Sequence, residues 1–275
     1  MEINLVWALN PNAHFCSPDM PWHDSSGQSS SFAIAAECCF GFKMIGPIAA
    51  AALLLPLCHA LPTIAGKAGT LAGRQTSCSA VHILIARGTT EEYPGDMGSL
   101  ANLIIANNDD ADYEDIIYPA TFNYISSTQQ GMQASMSQLT TYVEACPDSK
   151  IILLGYSQGA HVTGDALSGG GGSGLGAATD PVSTDIGEHV TAVVWYGDPR
   201  HVAGQSYDEG TATEDGLYPR TAAQLAILNQ YYAAKIRSYC DEGDPFCAGG
   251  TSVSVHGEYP ENYDEEAAAW VQTLL

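Results

Sequence analysis

The chain has 275 residues, 45% of them apolar and 15% charged; one large or two small domains with an ordinary buried core are allowed, and a disordered chain is excluded. Its 31 acidic residues stand against 9 basic ones, a formal net charge of -22. Phosphates need clustered lysine and arginine, so nucleic acid and anionic membrane are excluded as partners; polyanions such as pectate would be repelled, and a neutral substrate is favoured.

In chain order, residues 1–43 have no clear helical or strand period. MIGPIAAAALLLPLCHA, Met44 to Ala60, follows Lys43 and reads as a secretory signal, with Cys58-x-Ala60 offering small residues for cleavage. The run is too short and too proline-broken to span a bilayer comfortably, so no stable membrane association is expected. The competing reading is a buried core helix. Because signals normally open a chain, residues 1–43 are read as an over-extended gene model or a disordered N-terminal segment. The signal peptide is then 44–60, a short propeptide or linker 61–74, and a single domain 75–275. Secretion to the extracellular space follows.

From Ser79 the pattern alternates. AVHILIA, Ala80 to Ala86, is a strand by its β-branched content. Helical spacing follows at Leu100, Leu103 and Ile104. DIIYPA, around Ile116, reads as a second strand. Met132, Met136, Leu139 and Val143 recur on one helical face, and core packing accounts for them better than a ligand site does. KIILLGY, from Lys150, is apolar throughout and predicts a central strand covered on both faces. A helix follows Ser157. HVTAVVWYG around Val193 is a buried strand, and AKIRSYC, ending at Cys240, is the last. DEEAAAWVQTL, from Asp264, predicts a closing amphipathic helix with an aspartate at its start. GGGGSG, Gly169 to Gly174, follows a helix and lacks a terminal Lys-Ser/Thr; it reads as a flexible surface loop and not as a phosphate cradle. The order predicts an α/β fold, a three-layer α/β/α sandwich around a mostly parallel sheet.

Cys16, Cys38, Cys39 and Cys58 lie in the first sixty residues, and Cys78, Cys146, Cys240 and Cys247 in the rest. There is no CxxC pair, so neither a zinc site nor a thioredoxin-type motif is expected. The downstream four suit two disulfides in an oxidising compartment.

Gly155-Tyr156-Ser157-Gln158-Gly159 matches G-x-S-x-G between a strand and a helix, the context that gives this short pattern its meaning. Bulk at either flank of so sharp a turn would clash with neighbouring strands, hence the glycines. Ser157 is the candidate nucleophile, and the Gln158 N–H at the helix start would face a developing oxyanion. A serine needs a histidine to take its proton. His161 is tied to the same helix and His189 precedes a strand at the opposite edge. His201 stays open, and His256 lies late, before the final helix. Asp198, Asp241 and Asp244 are the candidate acids. Asp198 and Asp244 both follow strands as Asp-Pro, and residue chemistry alone leaves them close.

ARGTT (Ala86 to Thr90), GYSQG, YGDPR…GQSY…GT, and SYCDEGDPFC followed by VHGEY resemble the cutinase and acetylxylan esterase family of secreted, mostly fungal α/β hydrolases, from about Gln75 to the C-terminus. The resemblance implies a lidless sandwich, Ser157 as nucleophile, Asp244 as acid, His256 as base, and Thr89 beside Gln158 in the oxyanion hole. It also implies disulfides Cys78–Cys146 and Cys240–Cys247, and an acyl-enzyme mechanism with no cofactor and no metal. The approach AGGTSVSVHGEY brings Val253 and Val255 but no cluster of Leu, Phe or Met. GDPR and GQSYDEGT look closer to the acetylxylan esterase branch, while Gly88 within ARGTT is closer to cutinases. The expected partner is therefore a neutral acetylated polysaccharide such as xylan, with a cutin-like polyester or short-chain ester as alternative. A non-catalytic secreted binder is the minor reading. A monomer is expected.

Overall fold

The computed structural model describes residues 78–275. The expected signal peptide and propeptide, and Cys16, Cys38, Cys39 and Cys58, lie outside the described residues. Six strands, β1 (Val81–Ala86), β2 (Ala111–Asp115), β3 (Lys150–Tyr156), β4 (Val190–Tyr196), the two-residue β5 (Asp208–Glu209) and β6 (Ile236–Tyr239), form one sheet in the order β2-β1-β3-β4-β6-β5. Every pairing in it is parallel. The helices are α1 (Met97–Ala106), α2 (Tyr124–Ala145), α3 (Gln158–Ser168), the one-turn α4 (Thr184–Gly187), α5 (Ala222–Tyr231), the one-turn α6 (Val253–His256) and α7 (Tyr259–Gln272).

The period of two in β3 separates the layers. Ile151 and Leu153 enter a core shared with Leu139 and Val143 of α2, Val162 and Leu167 of α3 and Leu228 of α5. Ile152 and Leu154 point the other way, into a core with Leu100 and Ile104 of α1 and Ala267 and Val271 of α7. A strand apolar on both faces is what such double cover requires. The chain reverses direction across the sheet between β1 and β3. In an open parallel sheet the crevice beyond the carboxyl ends of strands at such a reversal is the ordinary ligand site. The loop after β1 carries Thr89, and the turn after β3 carries Ser157.

Five features differ from the sequence expectation. The second strand is Ala111–Asp115, not the apolar run after it. As a half-exposed edge strand it shows no apolar alternation, whereas Ile116, Tyr118 and Ala120 leave the sheet to fill the core. The last strand spans only Ile236–Tyr239, since Ala233–Lys235 form a 3-10 turn. The closing helix begins five residues early, at Tyr259, with a proline in its first turn, a position where the missing N–H is harmless. Asp264 is therefore no cap; it is buried inside the helix and accepts a hydrogen bond from the Tyr196 hydroxyl at 3.0 Å. Finally, the glycine stretch is only in part a surface loop. Gly169 and Gly170 are buried. Gln224 Nε2 donates to the Gly169 carbonyl at 2.6 Å and Arg200 to that of Gly171 at 3.0 Å. A Cβ on Gly170 would lie 2.6 Å from Met132 Sδ. Helix α5 was not anticipated, although Thr221 and Gln224 form a capping box at its start.

Candidate active site

Ser157 sits at φ 53° and ψ −115°, a left-handed backbone for a residue with a side chain. Such strain, about 1–3 kcal/mol, persists only where surroundings impose it. Both flanking glycines show how. A Cβ on Gly159 would come within 1.9 Å of the Ala86 carbonyl oxygen, so α3 presses against the end of β1. A Cβ on Gly155 would meet Ala160 Cα at 2.7 Å, inside the serine's own helix and not on a neighbouring strand, which corrects half of the expectation. The Ser157 N–H is tied to the Tyr196 carbonyl of β4 at 2.8 Å. Helix α3 is buried along its whole length and opens at Ser157, so its positive end faces the crevice.

The two residues expected to hold an oxyanion touch each other. Gln158 Nε2 donates to Thr89 Oγ1 at 3.0 Å and to the Thr121 carbonyl at 3.1 Å, while its Oε1 accepts from Ser127 Oγ at 2.7 Å. Since Thr89 Oγ1 accepts there, its own proton is left to donate.

His256 closes α6. Its Nδ1–H donates to Asp244 Oδ2 at 2.7 Å. Asp244 is fully buried and saturated: Oδ1 accepts the Phe246 N–H at 2.7 Å and the Cys247 N–H at 3.2 Å, and Oδ2 also takes the Tyr259 hydroxyl at 2.7 Å. Burial pushes this carboxyl up, but the bond to His256, its charge, and the Phe246 and Tyr259 donors together bring it below the usual carboxylate value. Ionised, it can only accept, which places the imidazole proton on Nδ1 and leaves Nε2 as the basic nitrogen. Tyr156 Oη donates to the His256 carbonyl at 2.8 Å, and the Phe246 ring lies 4.4 Å from the imidazole. The Cys240–Cys247 disulfide brackets Asp244 and anchors the strand-end loop that supplies the Cys247 N–H. A second disulfide joins Cys78 to Cys146 across 68 residues.

The other candidates stand outside this pairing. Asp198 is fully buried, with Oδ2 against Arg220 and Oδ1 accepting the Arg200 N–H at 2.9 Å. His161 Nε2 is 3.1 Å from Asp165 and Nδ1 3.0 Å from the Tyr124 hydroxyl. His201 is buried 3.7 Å from Asp208. His189 lies between α4 and β4, away from the strands' carboxyl ends. Asp241 accepts from Tyr263 and Thr211.

Thr89, Ser157 and His256 line one cleft of about 350 Å³, together with Phe122, Tyr124, Tyr156, Pro199, Leu217, Tyr218, Phe246 and Val253. At its mouth Phe122 is 85% exposed, Val253 66% and Leu217 53%. The rim is thus more apolar than the stretch around His256 implies. Phe122 and Leu217 come from loops far away in sequence, and no local pattern marks them as neighbours of the site. Among the described residues, no group of three or more His, Cys, Asp or Glu side chains is placed to hold a metal ion, and no helix is long and apolar enough to cross a membrane.

A strained serine between a central parallel strand and a buried helix, with a histidine–carboxylate pair supplied after the last strand at the same sheet edge, defines an α/β hydrolase of the serine type. The cutinase family model matches residues 77–275, and the chain belongs to that family. It is 34% identical over 209 residues to an acetylxylan esterase of Hypocrea jecorina, covering 72% of this chain and 68% of the relative. It is equally 34% identical to cutinase 11 of Verticillium dahliae, with 72% and 70% covered. The catalytic core domain of acetyl xylan esterase from Trichoderma reesei superposes with a TM-score of 0.66 at 33% identity, covering 72% of this chain and all of that one. The chain is a serine carboxylic ester hydrolase.

Proposed function

We propose that the chain is a secreted esterase that removes acetyl groups from xylan or a related neutral plant polysaccharide, using Ser157, His256 and Asp244. The observation that carries this is the 2.7 Å bond from His256 to a saturated, buried carboxylate, in a cleft that the strained serine shares. His256 Nε2 takes the Ser157 proton as Oγ attacks the ester carbonyl. The Gln158 N–H and the Thr89 hydroxyl stabilise the oxygen that becomes negative, the largest single contribution in such sites. As the bond from the carbonyl carbon to the sugar oxygen breaks, the protonated imidazole gives its proton to that oxygen, which leaves as a hydroxyl, and an acetyl-serine remains. Water then attacks by the same route, and Asp244 holds the imidazole and stabilises its cation throughout.

Three features support a neutral sugar ester as substrate. The net charge of -22 disfavours anionic polymers. Tyr124, Tyr156, Tyr218 and Phe246 give the cleft aromatic walls, which suit the apolar faces of sugar rings. Relatives named acetylxylan esterase match over most of the domain. The exposed Phe122, Leu217 and Val253 favour a second reading, hydrolysis of a cutin-like polyester. The test compares acetate released from acetylated xylan with hydrolysis of a long-chain ester emulsion. The first reading expects the xylan rate to dominate, and a dominant emulsion rate would replace it with the second.

A further inference from the structure

The loop after β1 carries Thr89, and it is held by a carboxylate that the triad does not use. Glu91 Oε2 accepts the Gly88 N–H, one residue before Thr89, and Oε1 accepts the Asp96 N–H at 3.0 Å, at the start of α1. The Glu91 carbonyl receives Arg87 Nε at 2.7 Å, and the same guanidinium reaches the Pro119 carbonyl at 3.2 Å. Two glycines make room for the carboxylate. A Cβ would lie 3.0 Å from Oε2 at Gly88 and 2.6 Å from it at Gly95. Thr90 completes the clamp with φ 65° and an N–H bonded to the Ala120 carbonyl at 2.7 Å.

We propose that Glu91 is a positioning residue for ester hydrolysis: its two carboxylate oxygens hold the Gly88 and Asp96 N–H groups and so fix where Thr89 meets the developing oxyanion. The proposal rests on the reading of Thr89 as an oxyanion donor. Both oxygens must accept, so the ionised form is the competent one. A protonated carboxyl or an amide sets a donor against one of the two N–H groups.

The surroundings make that charge titratable near neutrality. Burial pushes the Glu91 carboxyl up to about 7, with Asp96 adding to the rise and the Gly88 and Asp96 N–H bonds opposing it. The charged and titratable groups that face it are Arg87 from the loop after β1, Asp96 from the start of α1, Tyr156 from β3, and Tyr118 and Tyr93 from the adjoining loops. Because its folded value lies above the ordinary 4.5, the neutral form favours the fold. Glu91 therefore lowers stability as pH rises between those two values.

The experiment measures kcat and KM of wild type and Glu91→Gln on p-nitrophenyl acetate from pH 5.5 to 8.5, with Tm in parallel. At pH 8, Glu91→Gln should lose about tenfold or more in kcat, with KM within about twofold, as for a contact made only in the transition state. Its Tm at pH 8 should hold or rise. The ratio of wild-type to variant kcat should collapse toward one as the pH drops through about 7, because protonation gives the wild type the same conflict. Titration of His256 cancels in that ratio. Asp96→Asn, a surface change, removes the like charge and should move the wild-type limb to lower pH. Equal kcat at pH 8, a ratio that ignores pH, a kcat loss that only tracks a fall in Tm, or an unmoved limb in Asp96→Asn would each overturn the proposal. A fluorophosphonate should still label Ser157 in Glu91→Gln, so these outcomes leave the triad untouched, and loss of Ser157 labelling in wild type would sink the triad instead.

Discussion

Two histidine–aspartate pairs lie close in the chain to Ser157 or in its cleft, and they are built from the same chemistry. His161–Asp165 sits on the serine's own helix. Both imidazole nitrogens are engaged, by Asp165 and by Tyr124, and Arg200 makes two further bonds to Asp165 at 2.7 and 2.8 Å. In His256–Asp244 the carboxylate serves no cation other than the histidine, and Nε2 has no hydrogen-bond partner among the described residues. Burial pushes both aspartates up, and partners bring both below the ordinary value. Two buried, depressed carboxylates thus differ in whether an arginine also claims them and in what their histidine can still do. A histidine with both nitrogens committed is held in a structural role, and one with a nitrogen to spare at a cleft is free to serve as a base.

The largest effects should separate the pairs directly. His256→Ala is expected to lower kcat by about 10⁴–10⁶, and Asp244→Asn by about 10⁴ through loss of the correct tautomer. His161→Phe, assayed per folded molecule, should stay within about threefold of wild type. Initial rates on p-nitrophenyl acetate, normalised by circular dichroism, make the comparison; a His161→Phe loss as deep as that of His256→Ala would erase the distinction.

Next come the two Asp-Pro aspartates. Asp198→Asn leaves Arg220 buried without its counter-charge and should cost about 3–5 kcal/mol of stability, with kcat per folded molecule near normal. Asp244→Asn should show the reverse, a deep kcat loss with a smaller shift in the urea midpoint. A smaller effect is expected for the double change Cys240→Ser with Cys247→Ser, about 2–3 kcal/mol by loop entropy, with a loss in kcat because the Cys247 N–H no longer has a fixed place on Asp244. If kcat is retained, the disulfide serves stability alone.

The smallest effect is in pH. Both depressed aspartates contribute stability that is present above the unfolded value of about 3.9 and lost as the pH falls through their lower folded values. Tm should therefore drop steeply below about pH 4, and Asp244→Asn should flatten part of that drop. An identical slope in the variant would assign the acid lability elsewhere.

Strong apolar runs with β-branched residues made β1, β3 and β4 readable from sequence, as the flanking glycines made Ser157. The edge strand β2 was misplaced because ADYED is half-solvated, and the apolar residues after it serve the core without pairing as a strand. Asp198 and Asp244 could not be ranked by local pattern, since each is an aspartate before proline at a strand end. What separates them is a contact 22 residues away in one case, to Arg220, and 12 in the other, to His256. The rim was misjudged for the same reason: only the fold brings Phe122, Leu217 and Val253 to one mouth.

The central claim is that Ser157 is the nucleophile activated by His256. Treatment with a fluorophosphonate followed by peptide mass analysis tests it most directly. A single adduct on Ser157, absent from Ser157→Ala and formed orders of magnitude more slowly in His256→Ala, is the predicted result. An adduct on another residue, or labelling that persists in Ser157→Ala, would contradict it.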